Sequence, residues 1–313
     1  MANTLSQLFG LRYSADLRTL FYMTLTTALL LVQWNLGFNI ALFILSLFMA
    51  TSVAVIAHNH NHVPTFQNKT LNTLLDYWIT LFYGFPAFAW IPTHNRNHHH
   101  LNNREGDHTI TYRVSERNNL FTLVIYPTIS AFYQQQAIFS YLKDLRKRNS
   151  SRFWESVLQY VALAVFIGGA LALDWQKAVL YVIIPQQVAL YFIMIFNYVQ
   201  HVHADEESEW NHSRNFVGMG LNTLLFNNGF HTIHHERANI HWSQTPEAHN
   251  AIVKNIDPSL NERSFWWYMF RVYFLAPLFP RLGTNSMRLA RKEAEKYQTT
   301  NSSAQPLEVG VAS

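Results

Sequence analysis

The chain has 313 residues, a formal net charge of +4 and no cysteine. The absence of cysteine excludes disulfides, thiolate metal sites, iron–sulfur clusters and cysteine nucleophiles, and the modest charge gives no reason to expect a nucleic-acid partner. Hydrophobic residues make up 49% of the chain and aromatic residues 15%. They are concentrated in long uncharged stretches, which alternate with polar regions rich in histidine.

Four long stretches carry no charged side chain, namely residues 20–34, 36–57, 157–173 and 178–196. Because about 20 apolar residues in a helix cross the hydrocarbon core of a bilayer, they predict membrane spans at about 19–35, 36–57, 157–173 and 178–197. Buried helices of a soluble protein are the alternative, but four such helices in one chain favour the membrane. No cleavable signal peptide is evident.

Short connections join the spans in two pairs, WNLG at 34–37 and DWQK at 174–177. Such short connections make the paired spans antiparallel, so that all remaining parts of the chain lie on one side of the membrane. Every Lys and Arg except Lys177 lies in those parts. The positive-inside rule therefore places them in the cytoplasm, with both termini.

Three further apolar stretches are interrupted by charge, glycine, proline or glutamine, and we interpret them as interfacial or packed helices outside the spans. They are residues 74–92, 120–142 and 265–280. The predicted fold is an all-α integral membrane protein, with four transmembrane helices in two hairpins and a cytoplasmic helical cap. Residues 1–18 form an N-terminal segment, 19–286 the membrane domain, and 287–313 a polar tail that is helical at first and partly disordered.

Sixteen histidines are present, and none lies inside the four charge-free stretches. Most lie in four clusters, at 58–62, 94–100, 201–203 and 231–235. Within three clusters the spacings of three and four residues place side chains on one face of a helix. Neutral imidazole binds iron, zinc, copper or nickel, and one ion needs about four ligands, so the number of histidines predicts a site for two ions.

Three of the clusters, HNHNH (58–62), HNRNHH (94–99) and HTIHH (231–235), resemble the histidine boxes of the membrane fatty acid desaturase and hydroxylase superfamily. NYVQH at 197–201 resembles a further N–x–x–x–H position of that superfamily. The resemblance covers roughly residues 20–280 and implies a non-haem centre of two iron ions that uses O2 as co-substrate. The implied ligands are His58, His62, His94, His98, His99, His201, His231, His234 and His235, with Asn197 in support.

Five other residues near these clusters are candidates for orienting the ligand rings through their N–H groups. They are His60, His203, Asp205, Glu206 and Glu236. For Asp205, Glu206 and Glu236 the alternative is that they are ordinary charged residues of loops, in contact with solvent. Asp107, His108, His212, His241 and His249 receive no role from the sequence.

The resemblance implies an O2-dependent fatty acyl desaturase in a bacterial inner membrane or an ER-type membrane. Its substrate would be an acyl lipid, an acyl thioester or a free fatty acid. A fatty acid, alkyl or carotenoid hydroxylase, or an oxidative decarboxylase that yields a terminal alkene, remains an alternative because the boxes do not choose between these reactions. A histidine-rich metal transporter is a more remote alternative, since a transporter places ionisable ligands within its spans.

The chain carries no flavin, nicotinamide or haem-binding fingerprint. We therefore expect electrons from a separate donor, such as a ferredoxin, a rubredoxin or a cytochrome b5-like protein. The basic stretch KDLRKRN (143–149), together with Arg288, Arg291 and Lys292, suits an acidic donor. Contact with anionic lipid head groups is the alternative use of these charges.

The predicted orientation can be tested with single cysteines, because the chain has none of its own. A cysteine at Trp175 is expected to react with a membrane-impermeant thiol reagent added outside intact cells, whereas a cysteine at Glu209 is expected to react only after the cells are opened. Labelling is read by mass spectrometry. The reverse pattern would contradict the orientation.

Overall fold

The computed structural model describes residues 7–303 of the chain, most of which are helical. The long helices of the first two thirds are α1 (Leu17–Leu36), α2 (Ile40–His62), α3 (Lys69–Tyr83), α4 (Leu120–Arg148), α5 (Ser150–Leu173) and α6 (Trp175–His201). They are followed by α7 (Met219–Leu224), α8 (His231–Glu236), α9 (Thr245–Ile252), α10 (Phe265–Phe270) and α11 (Met287–Ser303).

Shorter elements connect these helices. Turns of π-helix occupy Ile91–His98, Val179–Ile183 within α6, and Arg271–Leu275; one α-helical turn, His99–Leu101, continues the first of them. Turns of 3-10 helix lie at Ser14–Asp16, Ala87–Ala89, Trp242–Gln244, Val253–Asn255, Pro258–Leu260 and Pro280–Leu282. Two short strands, β1 (Asn215–Phe216) and β2 (Asn261–Glu262), pair in parallel.

In the part of the chain that the structure describes, four helices are long and apolar enough to cross a membrane, as predicted. They are Ser14–Leu36, Ile40–His62, Ser150–Leu173 and Trp175–His201. The helices extend beyond the predicted ends at 57 and 197, so that the first histidine cluster belongs to α2 and His201 ends α6. The predicted C-terminal tail begins as the helix α11, and its residues 304–313 lie outside the described part of the chain.

Helix α2 lies at the centre of the bundle, where it packs against α1, α3 and α6. Residues 53–57 of this helix are almost completely buried. The stretch is apolar on all sides, which allows neighbouring helices to enclose it without burying an unpaired polar group. Asn39 caps its start by accepting hydrogen bonds from the amides of Ala41 and Leu42, at 3.0 and 3.2 Å.

The stretch at 74–92, which we predicted to lie outside the spans, contains a sharp bend. Helix α3 and the segment Ala87–Leu101 meet at an angle of 96°. Gly84 ends α3 in the left-handed region with φ of 80°, which glycine adopts without strain. A Cβ at this position would lie 2.5 Å from Cβ of Gln186 on α6, so the bend also requires a residue without a side chain. By length and composition, residues 7–303 contain up to five spans if this bent pair counts as one.

Helix α4 crosses α6 and carries aromatic residues on its outer side. Its start is fixed by a reciprocal pair of hydrogen bonds between Asn119 and Thr122. Phe121, Phe132 and Phe139 are 66–75% exposed, which fits a helix in contact with lipid. The segment from α10 through the following π-helical turn exposes a similar row of aromatic residues at 266, 267, 270 and 274.

Candidate metal centre

Nine histidine side chains converge in two adjacent groups. Within each group the candidate ligand atoms lie within 4.8 Å of one another. The first group contains His58, His62, His94, His99 and His234, and the second contains His98, His201, His231 and His235. The structure thus brings together all nine histidines that the sequence predicted as ligands.

The π-helical segment Ile91–His98 and the helical turn after it divide three histidines between the groups. In a π-helix each amide donates to the carbonyl five residues earlier, and the amide of His99 accordingly donates to the carbonyl of His94. The two rings meet in the first group with their Nε2 atoms 3.1 Å apart. His98 instead reaches the second group, where its Nε2 lies 3.1 Å from that of His201.

Helix α8 also supplies both groups. His231 and His235 are four residues apart and lie in the second group, whereas His234 between them reaches the first. The sequence predicted one shared helical face for these residues. The structure shows that this short helix lies between the two groups and contributes histidines to both.

The close approach of α8 to the strand β1 depends on a glycine. Gly229 accepts a hydrogen bond from the amide of Phe216 at 2.8 Å, and a Cβ on Gly229 would lie 2.1 Å from the carbonyl oxygen of Phe216. A larger residue at 229 would therefore push the start of α8 away from β1. This contact explains the glycine two residues before the third box.

The donor set fits metal ions. Neighbouring Nε2 atoms in the first group are 2.9–3.1 Å apart, and those in the second are 2.8–3.2 Å apart. Burial lowers the pKa of His231, His234 and His235 well below the usual value for histidine, and the adjacent rings lower it further. Neutral imidazoles with converging nitrogen atoms are ligands for iron, zinc or copper.

Asp107 is the carboxylate that orients a ring of the second group, although the sequence assigned it no role. It is completely buried, and its Oδ2 lies 2.8 Å from Nδ1 of His98. Its other oxygen accepts hydrogen bonds from the amide and hydroxyl of Thr109, both at 2.7 Å. Burial acts to raise the pKa of Asp107, but the contacts with His98 and Thr109 outweigh it and hold that pKa below its usual range.

These contacts determine which nitrogen of each ring faces the group. Nδ1–H of His98 donates to Asp107, and Nδ1–H of His201 donates to the carbonyl of His212 at 3.2 Å. In both rings the Nε2 atom is then left without hydrogen and directed at the other histidines.

Two of the predicted orienting residues contact other parts of the chain. The Nδ1 atom of His60 accepts from the amide of Thr65, and its Nε2 lies 3.5 Å from Asp76. His203 lies between the carbonyl oxygens of Glu116 and Thr284, at 2.8 and 3.0 Å. Neither ring contacts the nine histidines.

Asp205 and Glu206 form ion pairs with α11. Arg291 donates to Asp205 at 2.7 Å and to Glu206 at 3.0 Å. Arg288 also contacts Glu206, and it lies 3.3 Å from Glu116. These carboxylates hold α11 against the rest of the protein and are not loop charges in free solvent.

Glu236 alone among the five reaches the site, and it does so through His212. Its Oε1 lies 3.2 Å from Nε2 of His212, whose ring centroid lies 5.5 Å from that of His235. Asn197 lies on α6, where its side-chain amide donates to the hydroxyl of Tyr126 and its side chain lines a cavity that adjoins the site.

An apolar cavity of about 380 Å³ begins at the histidine groups and runs between α4 and α6. His58, His94 and His231 form its inner end. Its walls are mainly apolar and aromatic, and include Trp90, Ile193 and Phe196. Its volume lies within the range of pockets that hold small ligands, roughly 300–1,000 Å³.

Four helices able to cross a membrane and two histidine groups able to hold metal ions define a helical membrane protein with a candidate metal centre beside an apolar cavity. The sequence profile of the fatty acid desaturase family matches residues 33–267, and the chain belongs to that family. The match includes all nine histidines and confirms the resemblance of the boxes. It supports an oxidoreductase of the desaturase or hydroxylase type. No curated protein and no solved structure matches the chain.

We expect Asp107→Asn to weaken metal retention by about 10–100-fold, which is typical when the partner of a ligating histidine is changed. The amide is neutral and can present its NH2 group to Nδ1 of His98, so the ring loses its charged acceptor. The measurement is the metal content of purified protein after dialysis against increasing chelator concentrations. Glu105→Gln is the control, because Glu105 is exposed and lies two residues away. Equal retention in both variants would contradict the role of Asp107.

Proposed function

We propose that the protein is an O2-dependent fatty acyl desaturase, which introduces a double bond into an acyl chain with electrons from a separate donor. The observation that carries the proposal is the position of His58, His94 and His231 at the inner end of the apolar cavity. His58 and His94 belong to the first histidine group, and His231 belongs to the second. An acyl chain in the cavity would therefore lie beside the complete metal centre.

The two groups fit two iron ions, with the nine histidines as ligands and Asn197 as a supporting residue. When bound, the iron pair supplies the activation of dioxygen that is needed to remove hydrogen from an unactivated C–H bond. The apolar walls orient the acyl chain and exclude water from the inner end of the cavity. Asp107 and the carbonyl of His212 hold protons at Nδ1 of His98 and His201, which keeps the Nε2 atoms available to the ions.

The proposed donor is a small acidic electron carrier that docks on the cytoplasmic side. The end of α4 offers Lys143, Arg146 and Lys147, all of which are exposed. The sequence also suggested Arg288 and Arg291 for this surface, but both are engaged with carboxylates of the protein itself. We therefore assign donor docking to α4.

Expression in a host with a simple lipid profile is expected to yield acyl chains with a new double bond. Mass spectrometry of total fatty acids, alcohols and hydrocarbons distinguishes this product from the alcohol of a hydroxylase and from the terminal alkene of a decarboxylase. The purified protein is expected to contain about two irons per chain. Hydroxylated or shortened products without desaturation, or active protein that holds zinc and no iron, would contradict the proposal.

Two neighbouring histidines provide a matched pair of variants for the same experiment. His99→Ala is expected to abolish turnover and reduce the iron content, because His99 belongs to the first group. His100→Ala is expected to retain both, since His100 is exposed and lies outside the two groups. Equal loss of activity and iron in the two variants would contradict the ligand assignment.

The docking surface on α4 can be tested by reversing its charge. Arg146→Glu with Lys147→Glu is expected to raise the apparent KM for a purified acidic donor, and added salt is expected to raise it in the parent protein, because both weaken electrostatic attraction. Lys254→Glu is the control, because Lys254 is exposed and belongs to a separate turn, Val253–Asn255. The measurement is steady-state turnover at several ionic strengths.

Turnover that is supported by NADH alone in donor-free protein would contradict the need for a carrier.

A further inference from the structure

The outer end of the cavity opens on the side of the helical bundle. Among the residues that line it, Thr128 and Ala131 on α4 and Gln187 on α6 are exposed, whereas the histidines at the inner end are buried or nearly so. The opening therefore lies between α4 and α6, on the faces that these helices turn away from the protein.

The position of Gln187 along α6 gives the depth of this opening. It lies 14 residues before His201, at the end of a span that runs from Trp175. At about 1.5 Å per residue, this separation corresponds to roughly 21 Å along the helix. Gln187 is thus near the middle of the span, so the opening faces the hydrocarbon core of the bilayer and not the aqueous phase.

Three glutamine side chains line the cavity beyond its inner end, and the hydroxyl of Thr128 lines it too. The three glutamines are Gln134, Gln135 and Gln187. Gln134 donates to the hydroxyl of Ser130, and Gln135 donates to the carbonyl of Ala131. Within residues 7–303 the side-chain oxygens of Gln134 and Gln135 accept no hydrogen bond. The side-chain amide of Gln187 makes no hydrogen bond there either. A side-chain amide at the depth of Gln187 is unfavourable without such partners. A ligand in the cavity would supply partners to Gln187 and to the two oxygens on α4.

The charge of the cavity restricts the ligand. No Lys, Arg, Asp or Glu is among the residues that line it. A carboxylate or phosphate at the opening would have no cation to pair with, and a charged group at this depth in the bilayer is unfavourable. An uncharged group that donates and accepts hydrogen bonds would satisfy the amides without this cost.

We propose that Gln134, Gln135 and Gln187 bind the uncharged, hydrogen-bonding end of a long-chain lipid, such as an alcohol, an aldehyde or an ester. The lipid enters from the bilayer between α4 and α6, and its hydrocarbon chain extends toward the histidine groups. The reaction on that chain rests on the proposed function, whereas the binding of the end group does not. The protein thereby selects against free fatty acids and against thioesters whose carriers bear phosphate.

Photocrosslinking tests the proposal without requiring turnover. Purified full-length protein in lipid nanodiscs is exposed to three photoreactive lipids of equal length: a fatty alcohol, the corresponding acid and the corresponding alkane. The alcohol is expected to label peptides of α4 and α6, and to require at least tenfold more of the unlabelled acid than of the unlabelled alcohol for displacement. Equal displacement by acid and alcohol would overturn the selection against charge.

Variants show whether weaker labelling results from the loss of hydrogen bonds to the amides or from a change in the shape of the cavity. Gln135→Leu with Gln187→Leu is expected to weaken labelling by the alcohol about tenfold and to leave labelling by the alkane unchanged or stronger. Gln136→Leu is the matched control, because Gln136 is exposed and does not line the cavity. Equal loss of alcohol and alkane labelling in the double variant would overturn the proposal.

The two proposals fail in different ways. Selective binding of the alcohol by a protein that forms no double bond would refute the desaturase reaction and leave the end-group site intact. Formation of double bonds by a protein that binds the acid as well as the alcohol would refute the end-group site alone.

Discussion

The arrangement of the whole protein depends on the mutual approach of nine imidazole rings. In eight of them the Nε2 atom lies about 3 Å from that of a neighbouring ring. A neutral ring with a proton on Nδ1 offers only a lone pair at Nε2. Lone pairs that face each other repel unless a cation lies between them. A fold that directs them together must therefore gain its stability from elsewhere until ions bind, and the close packing of α2 against α1, α3 and α6 provides that stability.

Much of this design could be predicted from the sequence because its signals are local. Spans of about 20 uncharged residues predicted four helices, and the resemblance of the histidine boxes implied which histidines would converge. The division of His94, His98 and His99 between the groups could not be predicted, because it follows from a π-helical turn that no residue pattern indicates. Asp107 was also missed, since its partner His98 is nine residues away and joined to it by a loop with left-handed Asn102 and Asn103.

The same difference between local and distant signals explains why the roles of two carboxylates were predicted wrongly. Asp205 and Glu206 follow a predicted ligand in the sequence, and proximity favoured a role beside the metal. Their partners Arg288 and Arg291 lie more than 80 residues later on α11, and only the folded chain shows that these charges hold the last helix in place. Proximity to a ligand in the sequence therefore did not indicate which residues these carboxylates contact in the fold.

Both histidine groups draw on early and late parts of the chain. His58 and His234 meet in the first group although 176 residues separate them, and His98 meets His235 in the second. During synthesis the first two spans leave the ribosome long before α8 exists, so neither group is complete until residues 231–235 have been added. The capture of metal is thus postponed until α8 has been made, and a chain that stops before α8 has no complete place to hold an ion.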